Sequence, residues 1–199
     1  MAERGRPRGF DREAALACAM ELFWAHGYEG TSMADLTAAM GVAAPSLYAA
    51  FGGKEALFRE AVERYARTDG RHTVDALCGG GGARDGVERM LLAGAMALTL
   101  EARPHGCLVV LGAAGGAPSD GDAHRLLYDC RARVGRLIRD RLALAVQSGE
   151  LPAGTPTEPL AAFFETVLQG MSIQARDGAS REQLEAVART AMRAWPANP

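Results

Sequence analysis

β-Branched residues are scarce in this 199-residue chain, and alanine, leucine, arginine and glutamate dominate in their place. That balance disfavours strands and predicts an all-α fold. Aromatic side chains make up only 6 %, yet the hydrophobic share is 48 %, enough to build a buried core and too much for a disordered chain. No apolar run approaches the ~18 residues of a membrane span, and the nearest, 90–100, is too short. The apolar stretch 14–20 is short and is followed by Glu21, unlike a signal peptide. Four cysteines (Cys18, Cys78, Cys107 and Cys130) form no CxxC pair and read as reduced thiols. These absences lead us to expect a soluble, cytoplasmic protein with no membrane partner.

Signatures of catalysis are missing as well. There is no GxSxG, HExxH or EF-hand pattern, and the quartet Gly79–Gly82 lacks the Lys-Ser/Thr and following helix of a phosphate-binding loop. We therefore expect no enzyme, no cofactor and no metal site. The formal net charge is −2, so the chain as a whole is no polyanion binder. Its charge is uneven, however. Residues 1–10 hold Arg4, Arg6 and Arg8 against Glu3, interleaved with Gly and Pro, and read either as a flexible basic arm or as a solvated tail. Lysine is almost absent: of 22 basic residues, 21 are arginine and one is Lys54.

What is present is helical periodicity. After the arm, residues 11–54 hold short helical patterns with tight punctuation, and 55–199 hold longer ones. The first helix runs from about Asp11 to Ala25, with Leu16, Ala19, Met20 and Phe23 on one stripe and His26-Gly27 as its stop. The second begins at Thr31-Ser32, where Ser32 and Asp35 have capping-box spacing, and ends at Gly41. A third spans about Ala44–Ala50, with Pro45 in its first turn and Val42, Leu47 and Phe51 as anchors. Lys54 opens a fourth, carrying Leu57, Phe58, Ala61, Val62 and Tyr65. Further helices fall near 85–102, 105–114, 122–148, 157–175 and 180–195, separated by glycine- and proline-rich loops. The last starts at a second capping box, Ser180 and Gln183.

Residues 32–51 thus read helix, tight turn at Gly41, short helix, which is the arrangement that lays a recognition helix in the major groove. The wording is more specific than the pattern. The run from Phe23-Trp24 through His26-Gly27-Tyr28 to Asp35-Leu36, then Gly41-Val42, Pro45-Ser46-Leu47-Tyr48 and Phe51-Gly52-Gly53-Lys54, closely resembles the TetR/AcrR family of regulators over about residues 10–65. The family's all-helical ligand-binding and dimerisation domain would occupy the remainder. Gly106-Cys107-Leu108-Val109-Val110 and Gln169-Gly170-Met171-Ser172 resemble wording found in one branch of the family.

The resemblance implies a DNA-binding regulator, a repressor released from a palindromic operator by a small hydrophobic or amphipathic ligand. Tyr48 and Lys54 would contact phosphates, Thr31 would offer a hydroxyl to phosphate, and Ala44, Pro45 and Ser46 would approach base edges. Tyr48 lies beside the core face, so a half-buried core role is open to it too. Lys54 has an argument of its own, because a cation in a helix's first turn opposes the macrodipole unless something compensates. Arg4, Arg6 and Arg8 would reach an adjacent minor groove. Ala43, Ala44, Ala49 and Ala50 leave the recognition helix few hydrogen-bonding side chains, so DNA shape should carry part of the readout.

For the regulatory half, the last two helices are the expected homodimer surface, with Phe163, Val167, Met171, Leu184, Val187 and Ala191 on their apolar stripes. The same stripes could instead close the monomer's own core. Met96, Leu108, Tyr128, Phe163 and Phe164 are candidates to line an apolar ligand pocket with few polar groups, or else are ordinary core. The alternative function is a metal- or redox-sensing regulator of the same fold, using His72, His105, His124, Cys78, Cys107 and Cys130, although none of these pairs has metal-ligand spacing.

Overall fold

Local chemistry bounds the first helices closely. The Asp11 carboxylate accepts the N–H groups of Glu13 and Ala14, both at 3.1 Å, so two orphan donors of the helix start are satisfied. Ser32 and Asp35 form the full reciprocal box: Asp35 N–H donates to Ser32 Oγ at 3.1 Å and Ser32 N–H to Asp35 Oδ2 at 2.9 Å. The Ser32 hydroxyl, which donates to Asp35 Oδ2 at 2.6 Å, and then the Ser32 N–H hold the Asp35 carboxyl below its ordinary pKa. Gly41 stops the second helix at φ 65, a left-handed backbone that only glycine adopts freely.

The computed structural model describes residues 11–112 and 121–196; the arm with Arg4, Arg6 and Arg8 lies outside them. Among the described residues the chain is all-α. The helices are α1 Arg12–His26, α2 Met33–Met40, α3 Ala44–Phe51, α4 Lys54–Arg67, α5 Arg71–Cys78, α6 Ala83–Leu98, α7 Leu108–Leu111, α8 Asp122–Gln147, α9 Thr157–Arg176 and α10 Arg181–Ala191, followed by a 3-10 turn over Met192–Ala194. None of these helices is long and apolar enough to cross a membrane.

Two buried clusters organise the packing. The first gathers Leu16, Met20 and Phe23 of α1 with Leu36, Leu47, Leu57 and Phe58, and Phe23 meets Phe58 edge-on at 4.9 Å between centroids. This cluster continues past residue 54: Leu57, Phe58, Ala61 and Val62 of α4 are all buried in it, and so are Leu108 of α7 and Leu127 of α8. The second joins α6, α8, α9 and α10 around Met90, Leu91, Ile138, Leu142, Phe164 and Leu184.

Beyond Lys54 the helices expected near 122–148 and 157–175 form at nearly those bounds, whereas others are shorter than their periodicity suggests. The chain breaks at Thr68–Gly70, where the Thr68 hydroxyl donates to Arg64 O at 2.9 Å and Gly70 N–H to Tyr65 O at 2.8 Å. A side chain at Gly70 would stand 2.5 Å from the Tyr65 ring, so the break needs glycine. The helix near 105–114 shrinks to a single turn, and that near 85–102 ends at Leu98.

The start of α6 has no local cap, and one arrives from far along the chain. Glu150 accepts the N–H groups of Ala83 at 2.7 Å and Arg84 at 2.9 Å. Arg89 and Arg141 meanwhile hold carbonyls of Gly79–Gly82, with Arg89 Nη2 donating to Gly80 O at 2.9 Å and Arg141 Nη2 to Gly82 O at 3.2 Å. The glycine quartet is thus a clamped loop. Charge-assisted bonds of this kind contribute about 2–3 kcal/mol together. Glu150→Ala should therefore lower the melting temperature by roughly 5–10 °C, at about 2–4 °C per kcal/mol for a chain of this size. Glu150→Gln, which keeps an acceptor without the charge, should recover part of it. A thermal melt unchanged by Glu150→Ala would refute the cap.

Candidate nucleic-acid interface

Helix α3 turns one face to the core and leaves the other bare. Leu47 is fully buried and Phe51 nearly so, whereas Ala44, Pro45, Ser46, Tyr48 and Ala49 are all exposed. The tilt is fixed at both ends. At the start, Gly41 N–H donates to Ala38 O at 3.2 Å and Val42 N–H to Thr37 O at 3.1 Å, closing the tight turn. At the end, the Arg12 guanidinium lies over the Phe51 ring at 4.5 Å, pairs with Glu60 at 2.6 Å and donates to Ala50 O at 3.3 Å. Sequence reasoning gave Arg12 no role; a lone arginine at a helix start carries no signal of the ring it will cover.

Tyr48 is 53 % exposed, which decides between the two readings left open for it: the ring is surface, not core. It passes close to Gly53, where a Cβ would lie 3.7 Å from Tyr48 Cε1, and so stands beside the start of α4. Lys54 occupies that start with its Nζ 4.2 Å above the Tyr28 ring. The negative face of the aromatic ring supplies the compensation a first-turn cation needs. Tyr28 was not singled out from sequence. Its ring leans on Phe58 at 4.9 Å, so the ammonium is seated on the core itself.

Thr31 requires a correction. It is 1 % exposed, and its hydroxyl donates to Gly27 O at 2.7 Å. That side chain ties the 27–31 bend together and cannot reach a phosphate.

Behind this surface lies a cavity of about 510 Å³. Trp24, Tyr65, Leu98, Val110, Leu137 and Leu168 wall it. None of the five expected pocket residues does so. Leu108 and Phe164 are fully buried in the cores, Met96 and Phe163 are exposed, and Tyr128 borders a separate polar depression beside Arg131, Arg136 and Glu165. The cavity lies among α4, α5, α6, α8 and α9, with Trp24 of α1 at its wall; its lining is mostly apolar and its edge carries charged side chains. Cys107 and Cys130 also line it. Burial raises the thiol pKa of Cys130, with Asp129 adding to it. Among the described residues, no three His, Cys, Asp or Glu side chains gather as a metal-ligand set.

The cavity wall is bonded to the DNA-binding unit. The Trp24 indole donates to Gly106 O at 3.1 Å, and Arg103 bridges Glu21 of α1 at 2.5 Å and Asp69 beyond α4 at 2.8 Å. Tyr65 is held as a neutral phenol, its pKa pushed well up by burial and by the adjacent Cys107.

The expected pairing surface also changes. Met171, Leu184 and Ala191 are buried within the chain's own second core, and Val167 and Val187 pack against it. Of the six named residues only Phe163 is exposed, because α10 folds back onto α6 and α9. The large apolar side chains left uncovered on the long helices are Tyr128 and Leu144 of α8 with Phe163 and Ile173 of α9.

The chain was compared with known proteins. The family model described as bacterial regulatory proteins, tetR family, matches residues 15–61. The chain is 40 % identical over 194 residues to the HTH-type transcriptional repressor ComR of Escherichia coli (strain K12), covering 97 % of this chain and 92 % of that protein. It is 32 % identical over 184 residues to the repressor BdcR of the same organism, covering 92 % and 88 %. Among solved structures, a cysteine mutant of the TetR family transcriptional regulator CifR complexed with 26-base-pair double-strand operator DNA matches with a TM-score of 0.90 and 47 % identity, covering 96 % of this chain and 100 % of that one. A helix-turn-helix with its outer face bare, joined to a second helical core and matched along almost the whole chain by such relatives, places the protein in the TetR family of bacterial regulatory proteins.

Proposed function

We propose that the protein is a transcriptional repressor that binds an inverted-repeat DNA operator as a homodimer and leaves it when a small amphipathic molecule fills the cavity. The observation that carries this reading is the bare face of α3, with Tyr48 and the ring-seated Lys54 side by side at its edge. A phenol and an ammonium so placed suit successive phosphates, while Pro45, Ser46 and the alanine methyls suit base edges and thymine methyl groups. It acts in the cytoplasm and without a cofactor. ComR and BdcR are named as repressors and the CifR structure contains operator DNA, which supports the same direction.

Two chains pair most favourably through α8 and α9, whose exposed Tyr128, Leu144, Phe163 and Ile173 would form a four-helix contact by twofold symmetry. Pairing sets the two α3 helices to half-sites about 34–36 Å apart. A ligand pressing on Trp24 or Tyr65 pushes on α1 and α4 and shifts that spacing.

Fluorescence anisotropy with DNA flanking the protein's own gene tests this. Binding at roughly 10⁻⁸ M or tighter is expected, at least ~10³-fold stronger than to a shuffled duplex. Equal affinity for both duplexes would sink the proposal. A second reading, redox sensing in the same fold, is favoured by one observation: Cys107 and Cys130 share the cavity wall. Operator affinity unchanged by peroxide would dismiss it.

A further inference from the structure

We infer that the cavity takes an amphipathic anion, its oxyanion head held by Arg131 and its apolar body lying along Trp24, Leu98, Val134, Leu137 and Leu168. This rests on the reading of the cavity as the effector site and adds the chemistry of what enters it.

The size suits a small molecule: about 510 Å³ falls inside the ~300–1,000 Å³ of such sites. The charges in the wall set the sign. Two of its three carboxylates are already ion-paired. Asp69 is bound by Arg103 at 2.8 Å and Asp75 by Arg71 at 2.7 Å, while Glu165, among the described residues, accepts only from the neutral Gln169 amide at 2.9 Å. A cationic head would meet one wall carboxylate, Glu165, whose partner is only a neutral amide.

Arg131 is different. It is half-buried on α8 and donates one N–H to Val109 O at 2.8 Å, and among the described residues no carboxylate lies within ion-pair distance of it. Arg133, two residues on, also lines the cavity without a carboxylate partner. A guanidinium cannot shed its charge, and drawing it out of water without a counter-ion is costly. One neutral carbonyl satisfies one of its five N–H groups. The others form a fork that fits a carboxylate bidentately. The helices therefore present an apolar chamber bordered by Arg131 and Arg133, neither ion-paired among the described residues. Against them stands one carboxylate, Glu165, in the same state, so positive charge is in excess at its edge.

Titration calorimetry on the full-length chain with decanoate, decanol and decyltrimethylammonium, each below its micellar concentration, reads the sign of the site. Decanoate should bind roughly tenfold or more tightly than decanol, with the ammonium weakest. Arg131→Gln should bring decanoate down to the level of decanol and leave decanol itself unchanged. Decanol or the ammonium matching decanoate in the unaltered protein, or a decanoate preference that survives Arg131→Gln, overturns the inference. Arg131 also props the Val109 carbonyl, so Arg131→Gln could collapse the wall and lose decanol too. Arg131→Lys then decides: a retained decanoate preference supports the proposal and a lost one overturns it. Operator release is measured separately. Decanoate that binds without loosening the operator complex refutes the effector reading and leaves the anion preference standing, whereas binding of none of the three refutes both.

Discussion

Lys54→Ala should cost the proposed dimer roughly a hundred- to ten-thousandfold in operator affinity while leaving its fold intact. One lost charge-assisted phosphate contact is worth about 1.5–3 kcal/mol, and a symmetric dimer loses it twice. The same change should flatten the salt dependence, since each phosphate-bound cation contributes about one unit to the slope of log affinity against log salt. A dimer should thus lose about two units. Stability should hardly move, because two small terms oppose each other there. The ammonium gains ~0.5–1 kcal/mol over the Tyr28 ring and loses a similar amount by sitting at the positive end of α4. Lys54→Arg keeps the charge and should keep most of the slope. An unaltered slope in Lys54→Ala would show that the ammonium does not touch phosphate, whatever happens to affinity.

Gly106→Ala should be strongly damaging for a single methyl. Gly106 has φ 85, and a Cβ there would overlap Leu111 Cδ1 and stand 2.8 Å from Ser172 O. The left-handed backbone costs a side chain about 1–2 kcal/mol, and overpacking against fixed atoms adds about 1–3. At about 2–4 °C per kcal/mol, a fall of roughly 4–20 °C in melting temperature follows. Gly149→Ala supplies the control: φ is 78 but nothing lies within 4 Å, so only the backbone cost applies and the loss should be a few degrees. Equal losses at the two sites would mean that crowding at Gly106 is relieved by local movement. Because Gly106 O also receives the Trp24 indole, Gly106→Ala should disturb operator binding as well as the melt.

The DNA-binding half was legible because its determinants are local. A serine and an aspartate three apart, a glycine at a turn and a proline in a first turn act within a few residues, and they set the ends of α2 and α3 in the structure too. Thr31 shows the limit. A threonine before a helix reads the same whether its hydroxyl faces solvent or turns inward to Gly27, and only the path of the 27–31 bend decides. The regulatory half was less legible for a related reason. Apolar stripes on α9 and α10 show that those faces are covered without saying by what, so Met171, Leu184 and Ala191 read equally well as interface or interior. The cavity is a product of packing between distant segments, Trp24 against residues more than eighty positions away, and no spacing within one helix encodes it. The Glu150 cap on α6 and the Arg131 donation to Val109 are long-range in the same sense.

Arg103 makes the two halves of the molecule answer to each other. Its guanidinium is grasped by one acid from α1 and another from the cavity wall, and hydrogen bonds of this type fail within a fraction of an ångström of stretching. Small displacements are therefore resisted and larger ones strip a charged pair outright, so the head stays put or lets go. If the cavity is the effector site proposed above, filling it should accordingly throw DNA binding over like a toggle, with few molecules resting in between.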